Sequence, residues 1–164
     1  MLKNIIRLVV SVAVPLLAGG IGSFFTVSSV DTWYQTLEKP ALNPPAWVFG
    51  PVWTILFVLM GIALFLVWQN YSDILQNIRM KSVGRWAIIL FFVQLFLNVC
   101  WSVVFFGMQN PGGALVVIIA LWLAILATIV TFRKLSRPAA WLLIPYILWV
   151  TFATYLNYSI WMLN

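Results

Sequence analysis

The residues of this chain that could do chemistry are mostly amides and aromatic rings set within long apolar segments. Gln94, Asn98 and Trp101 follow one another at spacings of four and three, and Phe105 comes four residues later. At about 100° per residue, these four side chains share one face of a helix. Polar side chains inside an apolar helix are costly and therefore mark candidate sites. An amide among aromatic rings predicts a face that stacks on a flat ligand and offers it a hydrogen bond.

Two further apolar segments carry faces of the same kind. One of them consists of Trp53, Phe57, Met60, Leu64 and Trp68. The other has Trp149, Ala153 and Asn157 at spacings of four. At about 1.5 Å rise per residue, Trp53, Asn98 and Ala153 fall in the same half of a membrane. The three faces therefore predict one pocket for a flat, largely apolar ligand of about porphyrin or sterol size.

Each of these residues also has a purely structural interpretation. Gln94 and Asn98 could hydrogen-bond a neighbouring helix, a contact worth about 0.6 kcal/mol on average. Trp53 and Trp149 could be packing residues, and Trp33 could be an anchor at the membrane surface. Only their convergence on one volume favours the ligand pocket.

The titratable residues argue against catalysis and against a metal site. The chain has no histidine and a single cysteine, Cys100, so classical haem, zinc and dithiol sites lack their ligands. Its only acids are Asp31, Glu38 and Asp73, and none lies deep in an apolar segment. We therefore expect no catalytic residue, no resident cofactor and no ion-coupled pump. Asp31 and Glu38, at the rim of the predicted pocket, are either solvated charges or contacts for the polar edge of a ligand.

The elements that must position these residues are membrane-spanning helices. The chain is 64% hydrophobic and 7% charged, with a mean hydropathy of +1.06, whereas soluble domains carry about 25% charged residues. At about 20 residues per span, the sequence predicts one all-α domain, a bundle of five transmembrane helices. The predicted spans are 5–27, 46–69, 85–107, 113–132 and 139–162.

The basic residues predict the orientation of the bundle. Eight of the nine lie on one side, namely Lys3, Arg7, Arg79, Lys81, Arg85, Arg133, Lys134 and Arg137, and only Lys39 lies on the other. The positive-inside rule then places the N-terminus in the cytoplasm and the C-terminus outside, as in a bacterial plasma membrane. Membrane orientation explains the net charge of +6 better than nucleic-acid binding does.

The connector between the first two spans, at about 28–46, falls on the outer side. Together with the first turns of the second span it holds four prolines and three tryptophans within residues 32–54. Because proline fixes φ and biases the residue before it towards extended conformations, this connector is predicted to hold a defined shape. We expect it to act as a lid over the pocket.

Small residues predict close helix packing. Ala18, Gly19, Gly22 and Ser23 repeat at spacings of four in the first span, and Ala120, Ala124 and Thr128 do so in the fourth. These faces suit either packing within one chain or the seam of a homodimer. Pro15 and Pro145 are expected to kink the first and fifth spans.

Several motifs resemble those of the translocator protein family, the tryptophan-rich sensory proteins known in animals as the peripheral benzodiazepine receptor. They are Trp33-Tyr34, Leu37-Glu38-Lys39-Pro40, Pro44-Pro45, Gly50-Pro51-Val52-Trp53-Thr54, Met60-Gly61, Gln94-x-x-x-Asn98 and Pro145-Tyr146…Trp149…Phe152-Ala153-Thr154-Tyr155-Leu156-Asn157-Tyr158. The resemblance covers nearly the whole chain in order.

The resemblance implies a five-helix bundle, often dimeric, that binds porphyrins such as protoporphyrin IX and synthetic benzodiazepine-site ligands beneath the loop between helices one and two. Carried over by position, the implied ligand-binding residues are Trp33, Tyr34, Trp53, Asn98, Trp101, Trp149 and Ala153. The expected function is that of a membrane receptor or sensory protein for tetrapyrroles. The alternatives are a light-dependent porphyrin-degrading enzyme and a transporter of tetrapyrroles or lipids.

Two features depart from the family pattern. Ala41 and Leu42 stand where many relatives have Ser-Trp, so the lid lacks one aromatic ring. Animal members end the fifth helix with a tyrosine and a basic residue, read as a cholesterol motif, whereas no Lys or Arg follows Tyr158 here. Specific cholesterol binding is therefore not expected.

Overall fold

The computed structural model describes residues 2–70 and 78–164. The helices, in chain order, are α1 (Leu2–Val30), α2 (Trp33–Thr36), α3 (Phe49–Gln69), α4 (Ile78–Ser102), α5 (Pro111–Leu135), α6 (Arg137–Leu142) and α7 (Ile144–Leu163), with a 3-10 turn at Ala46–Val48 and a π turn at Val103–Gly107. Within these two ranges, five segments are long and apolar enough to cross a membrane. The predicted all-α membrane fold is thus confirmed. Asp73 lies outside the described residues.

The first span is longer than its apolar run predicts. Helix α1 extends three residues beyond each predicted end, from Leu2 to Val30. At its polar end the serine hydroxyls find acceptors on the backbone: Ser28 Oγ donates to Phe25 O at 3.1 Å. Residues 28–30, predicted as the start of the lid, therefore continue the helix. We use the term lid for residues 31–48.

The third span ends in a π turn that the sequence does not predict. Met108 N donates to Val103 O, five residues earlier, at 2.8 Å. Helix α5 then starts with Pro111 at its first position and with Asn110 Oδ1 accepting from Gly113 N at 2.9 Å. Both are common signals of a helix start, and the break predicted at residues 108–112 is confirmed.

The fifth span is broken into two helices near its proline. Helix α6 ends at Leu142 and α7 begins at Ile144. Pro145 has no N–H to donate to Trp141 O, so the hydrogen bonds of the helix are interrupted there. The predicted irregularity is confirmed, and it lies just before the proline.

Helices α1 and α3 touch at Gly61. A Cβ built on Gly61 would lie 2.5 Å from Val12 Cα and 2.8 Å from Ser11 O, so only glycine permits this approach. Pro15 has no N–H for the Ser11 carbonyl, and that carbonyl lies against Gly61 instead. The contact fixes α1 to the middle of α3.

The predicted small-residue face of α1 packs within the chain at two of its positions. A Cβ on Gly19 would overlap the Phe57 ring, and one on Gly22 would lie 3.1 Å from Ser102 Oγ. Ser23, by contrast, is exposed. For Gly19 and Gly22, intramolecular packing accounts for the pattern.

The ends of several elements meet at what we call the lid end of the bundle. Ser29, at the end of α1, donates through Oγ to Phe106 O of the π turn at 2.8 Å. The lid reaches the last residue of the chain, since Glu38 N donates to Asn164 Oδ1 at 3.0 Å. The start of α3 follows the lid directly. These contacts enclose the site described next.

Candidate binding cavity

A cavity of about 540 Å³ opens inside the lid end of the bundle. It is lined by one face of α1, the lid, the first turns of α3, the last turns of α4 with the π turn, and α7. The lining residues are Leu16, Gly19, Gly20, Gly22, Ser23, Thr26, Val27, Val30, Asp31, Tyr34, Ala46, Phe49, Gly50, Trp53, Thr54, Phe57, Asn98, Trp101, Ser102, Phe105, Phe106, Ala153, Leu156, Asn157 and Ile160. Among the described residues this is a largely apolar wall with a few amides and hydroxyls.

Four aromatic rings form one side of the cavity. Trp53 and Phe57, one turn apart on α3, stack with centroids 5.6 Å apart and planes at 29°. Trp101 and Phe105, one turn apart on α4 and its π turn, have centroids 5.4 Å apart at 30°. Trp53 and Trp101 join the two pairs at 6.5 Å. Such a row offers an extended π surface against which a flat ligand can stack.

The π turn contributes to this wall from the end of α4. Both Phe105 and Phe106 are buried and line the cavity. The bond from Ser29 Oγ to Phe106 O ties the turn to α1. π turns occur frequently at functional sites, and this one brings two adjacent rings to the same cavity.

Asn157 holds three helices together beside the aromatic wall. Trp101 Nε1 donates to Asn157 Oδ1 at 2.9 Å, and Asn157 Nδ2 donates to Pro111 O at 2.7 Å. Because an indole N–H only donates and a carbonyl only accepts, the orientation of this amide is fixed. The bonds link α4, α7 and the start of α5, and they hold the Trp101 ring in place.

Asn98 lies deeper, where α4 meets α7. Its Nδ2 donates to Tyr146 Oη at 3.1 Å, and both residues are buried. Asn98 also lines the cavity. Gln94, one turn further from the lid, is buried and places Nε2 3.7 Å from Met60 Sδ, so it belongs to the packing below the cavity.

The lid closes over the cavity through Tyr34. Its Oη donates to Asn43 Oδ1 at 2.9 Å within the lid, and the ring lies near Phe106 with centroids 5.9 Å apart. Lys39 Nζ lies 4.9 Å from the centroid of the Tyr34 ring. Burial raises the pKa of the Tyr34 hydroxyl, which therefore remains a neutral donor at physiological pH.

The side chain of Asn164 fastens the lid to α7. Asn164 Oδ1 accepts from Glu38 N at 3.0 Å, and Asn164 Nδ2 donates to Glu38 O at 3.1 Å and to Ile160 O at 2.9 Å. The amide thus pairs with both polar groups of one lid residue. Ile160 itself lines the cavity. The hydrogen bonds of Asn164, which we call the latch, therefore lie directly beside the site.

The mouth of the cavity lies between α1 and the start of α3. The exposed lining residues belong to these two elements or to the two ends of the lid, at Asp31 just after α1 and at Ala46 just before α3; they are Leu16, Gly20, Ser23, Val27, Asp31, Ala46, Gly50 and Thr54. Tyr34 of the lid and the lining residues from α4, the π turn and α7 are buried. The cavity therefore opens sideways from the bundle, beneath the lid.

Five of the seven predicted site residues line this cavity: Tyr34, Trp53, Asn98, Trp101 and Ala153. Trp33 and Trp149 do not. Trp33 packs behind the wall, with its ring 5.7 Å from that of Phe105.

Trp149 faces away because of helix geometry. Each step of four residues rotates a helical position by about 40°, so Trp149 is about 80° from Asn157. Its ring contacts Phe49 with centroids 6.0 Å apart. It lines a separate, shallow apolar groove with Val52, Ile55, Leu56, Leu59, Pro145, Leu148 and Phe152.

The residues that sequence reasoning missed come mainly from α1. Gly19, Gly22 and Ser23 suggest helix packing or a homodimer seam by their small size and spacing, and Thr26, four residues after Gly22, was not singled out. Small and hydroxylated side chains at such spacing also leave space for a ligand. Asn157, which the sequence places on the same helix face as Ala153, also lines the cavity but was not among the seven predicted ligand-binding residues.

Comparison with known proteins agrees with this architecture. The sequence profile of the TspO/MBR family matches residues 11–162. A tryptophan-rich protein TspO of Archaeoglobus fulgidus is 47% identical over 161 residues, covering 98% of this chain and 99% of the relative. The human translocator protein is 38% identical over 147 residues, covering 90% and 83%. A tryptophan-rich sensory protein of Cereibacter sphaeroides is 39% identical over 134 residues, covering 82% and 78%.

Proposed function

Because the chain belongs to the TspO/MBR family of multi-pass membrane proteins, we propose that it is a receptor or sensory protein for porphyrins of the protoporphyrin IX type and related flat apolar ligands. The ligand occupies the cavity under the lid. The observation that carries this proposal is the row of four aromatic rings along a largely apolar cavity of about 540 Å³. Small-molecule pockets commonly measure about 300–1,000 Å³.

Binding rests on burial and stacking. Trp53 and Trp101 provide the π surface, and aromatic pairs contribute about 0.5–1.5 kcal/mol each beyond the area they bury. Asn98 orients the ligand by a hydrogen bond. The small side chain of Ala153, buried on α7, leaves room for it.

The two predicted residues outside the cavity act on it indirectly. Trp33 supports the Phe105 ring from behind. Trp149 supports Phe49, which lines the cavity, and its ring lies 6.0 Å from that of Phe49. Their truncation should therefore weaken binding less than truncation of Trp53 or Trp101.

Protoporphyrin IX titration of the protein in nanodiscs, followed by quenching of tryptophan fluorescence and by the porphyrin Soret band, tests the proposal. We expect Trp53→Ala and Trp101→Ala to raise the Kd at least about tenfold, as for buried aromatic anchors. Trp141→Ala is the matched control, because Trp141 is 72% exposed on α6. If both cavity variants bind like the parent, the assignment of this cavity is incorrect.

A second function, light-dependent porphyrin oxidation with dissolved dioxygen as the oxidant, is favoured by the position of two oxidisable indoles, Trp53 and Trp101, on the cavity wall. Illumination of the same titrated samples distinguishes the two. New absorbing products, formed at a rate that falls in Trp53→Phe and Trp101→Phe, indicate an enzyme. Porphyrin spectra that stay unchanged under light indicate a receptor.

We also propose that the lid end faces outward, with the N-terminus in the cytoplasm, and that the protein forms a homodimer. The basic residues at the opposite end support the orientation. An impermeant maleimide should label an Ala41→Cys variant, made in a Cys100→Ser background, in intact cells; labelling only after lysis would reverse the orientation. Chemical cross-linking in native membranes tests the dimer, which a purely monomeric pattern would exclude.

A further inference from the structure

Four basic residues lie where α4, α5 and α6 meet, at the end of the bundle opposite the lid. Arg85 lies two turns into α4, Arg133 and Lys134 lie at the end of α5, and Arg137 begins α6. All four are exposed. We call this group the basic corner.

The packing of α4 on α5 brings the bases of the corner together. The rings of Phe91 and Phe132 stack with centroids 6.0 Å apart and planes at 9°. Because α4 and α5 run in opposite directions, Arg85, before Phe91, and Arg133, after Phe132, lie on the same side of this ring pair. At about 1.5 Å rise per residue, both arginines lie within about 9 Å of it along the helix axes. Helix α6 begins two residues after α5 ends, which keeps Arg137 beside them.

The positive charge at this end of the molecule exceeds the negative charge by far. Eight of the nine bases belong to this end, and Lys39 alone belongs to the lid end. Of the three acids, Asp31 and Glu38 lie at the lid end, and Asp73 falls in the connector between α3 and α4. Pairing of Asp73 with one base would leave seven bases without an acid. The basic corner therefore carries charge that an anion from outside the chain can neutralise.

An exposed apolar stripe on α5 leads to the basic corner. Its residues follow spacings of three and four, and the next position in the series is Arg133; they are Val116, Ile119, Leu123, Leu126 and Val130. Such spacing keeps side chains on one face of a helix. From Val116 to Arg133 the stripe rises about 25 Å, close to the thickness of the hydrocarbon layer. It offers a lipid chain one continuous face that ends at a positive charge.

Two exposed tryptophans mark the level of the lipid headgroups at the same end. Trp86 directly follows Arg85 on α4, and Trp141 lies one turn after Arg137 on α6. Indole rings are enriched where the membrane meets water. The bases beside them therefore lie within reach of lipid phosphates.

We infer that the basic corner binds the headgroup of an anionic phospholipid, with an acyl chain along the exposed stripe of α5. The guanidinium groups of Arg133 and Arg137 donate to phosphate oxygens, for which their planar fork is well suited. A free anion would gain these contacts but not those of the stripe. The inference is independent of the ligand proposed for the cavity.

Native mass spectrometry of the protein in neutral detergent tests this inference. Phosphatidylglycerol and phosphatidylcholine with identical acyl chains are added in equal amounts, so the ratio of their bound fractions reports the headgroup alone. We expect the parent to prefer phosphatidylglycerol. Because each base near an anionic lipid changes the affinity about fivefold, Arg133→Gln and Arg137→Gln should each lower the ratio by about that factor. Arg133→Lys keeps the charge and should retain most of the preference.

Lys3→Gln is the matched control, because it removes one exposed charge at the same end from α1, which packs against α3 and α4. It should leave the ratio nearly unchanged. A parent without preference, or an equal loss in Lys3→Gln, would overturn the assignment to the basic corner. Inorganic phosphate added at constant ionic strength should not displace the bound lipid. If it does, the corner recognises free phosphate and the inference is likewise overturned.

Discussion

At the scale of single residues, Asn157 is the side chain on which the cavity wall most depends. It is 1% exposed, and both ends of its amide are used, one by Trp101 and one by the carbonyl of Pro111. An apolar replacement of similar size would leave a buried indole N–H and a buried carbonyl without partners. Each such group costs about 1–3 kcal/mol. The amide therefore links the stability of three helices to the position of one cavity ring.

We expect Asn157→Leu to lower the apparent melting temperature in detergent by about 5 °C or more and to weaken porphyrin binding, because Trp101 loses its anchor. Differential scanning fluorimetry and the porphyrin titration measure the two effects. Thr151→Val is the control: it removes another indole hydrogen bond, from Trp122 Nε1 at 2.8 Å, away from the cavity. It should leave porphyrin binding intact. Parental binding by Asn157→Leu would show that Trp101 does not need this anchor.

The helical period correctly predicted which side chains share a face when the residues are about one turn apart. Asn98 and Trp101 were placed on one face and do share the cavity. It failed for Trp149, where the drift of about 40° per four residues accumulates over two turns. It also missed Ser23 and Thr26, because small residues fit a packing seam and a cavity wall equally well.

At the scale of elements, the crossing of α1 and α3 sets the lower limit of the cavity. The helices touch at Gly61, where the neighbours are backbone atoms of Ser11 and Val12. Nearer the lid, Gly20 on α1 and Gly50 on α3 have no heavy atom within 4 Å of an added Cβ. The two helices are thus tightly joined at one level, and the mouth opens above it.

We expect Gly61→Ala to lower the free energy of unfolding by about 1–3 kcal/mol, as overpacking commonly does. The atoms that the new methyl group would meet belong to the backbone, and they cannot move away by adopting another rotamer as a side chain can. A reduced apparent melting temperature and a reduced yield of folded protein would show this. Gly20→Ala is the control, and it should be neutral or stabilising because alanine favours helix by about 1 kcal/mol over glycine. Equal stability of the two variants would mean that α1 and α3 separate at no cost.

The number and order of the spans followed from hydropathy, but their irregularities did not. The lid-side end of the third span is a π turn held by Ser29 Oγ on Phe106 O, a contact between residues far apart in the chain. The hydropathy pattern likewise predicted the end of α1 too early, because Ser28 and Ser29 are polar but still belong to the helix. Proline chemistry, which is local, did predict the interruption at Pro145.

At the scale of the whole molecule, the cavity has two boundaries that could open for a ligand. One is the mouth between α1 and α3, where the exposed lining residues lie. The other is the lid, which the side chain of Asn164 fastens by pairing with both backbone groups of Glu38. An apolar ligand concentrates in the bilayer, and the mouth opens sideways towards it. We therefore expect the ligand to enter through the mouth, with the lid staying closed.

Substitution of one residue at each boundary tells the two routes apart. Gly20→Phe places a ring in the mouth, where an added Cβ meets no heavy atom within 4 Å. We expect it to slow porphyrin association and dissociation together by about tenfold in vesicles, leaving the Kd nearly unchanged, since a barrier on the route alters only the rates. Val116→Phe, at a site on α5 that is 70% exposed, controls for added bulk on the lipid side. Asn164→Ala removes the latch and should leave both rates close to those of the parent. Stopped-flow fluorescence measures all four proteins, and faster exchange in Asn164→Ala with parental rates in Gly20→Phe would assign the route to the lid instead.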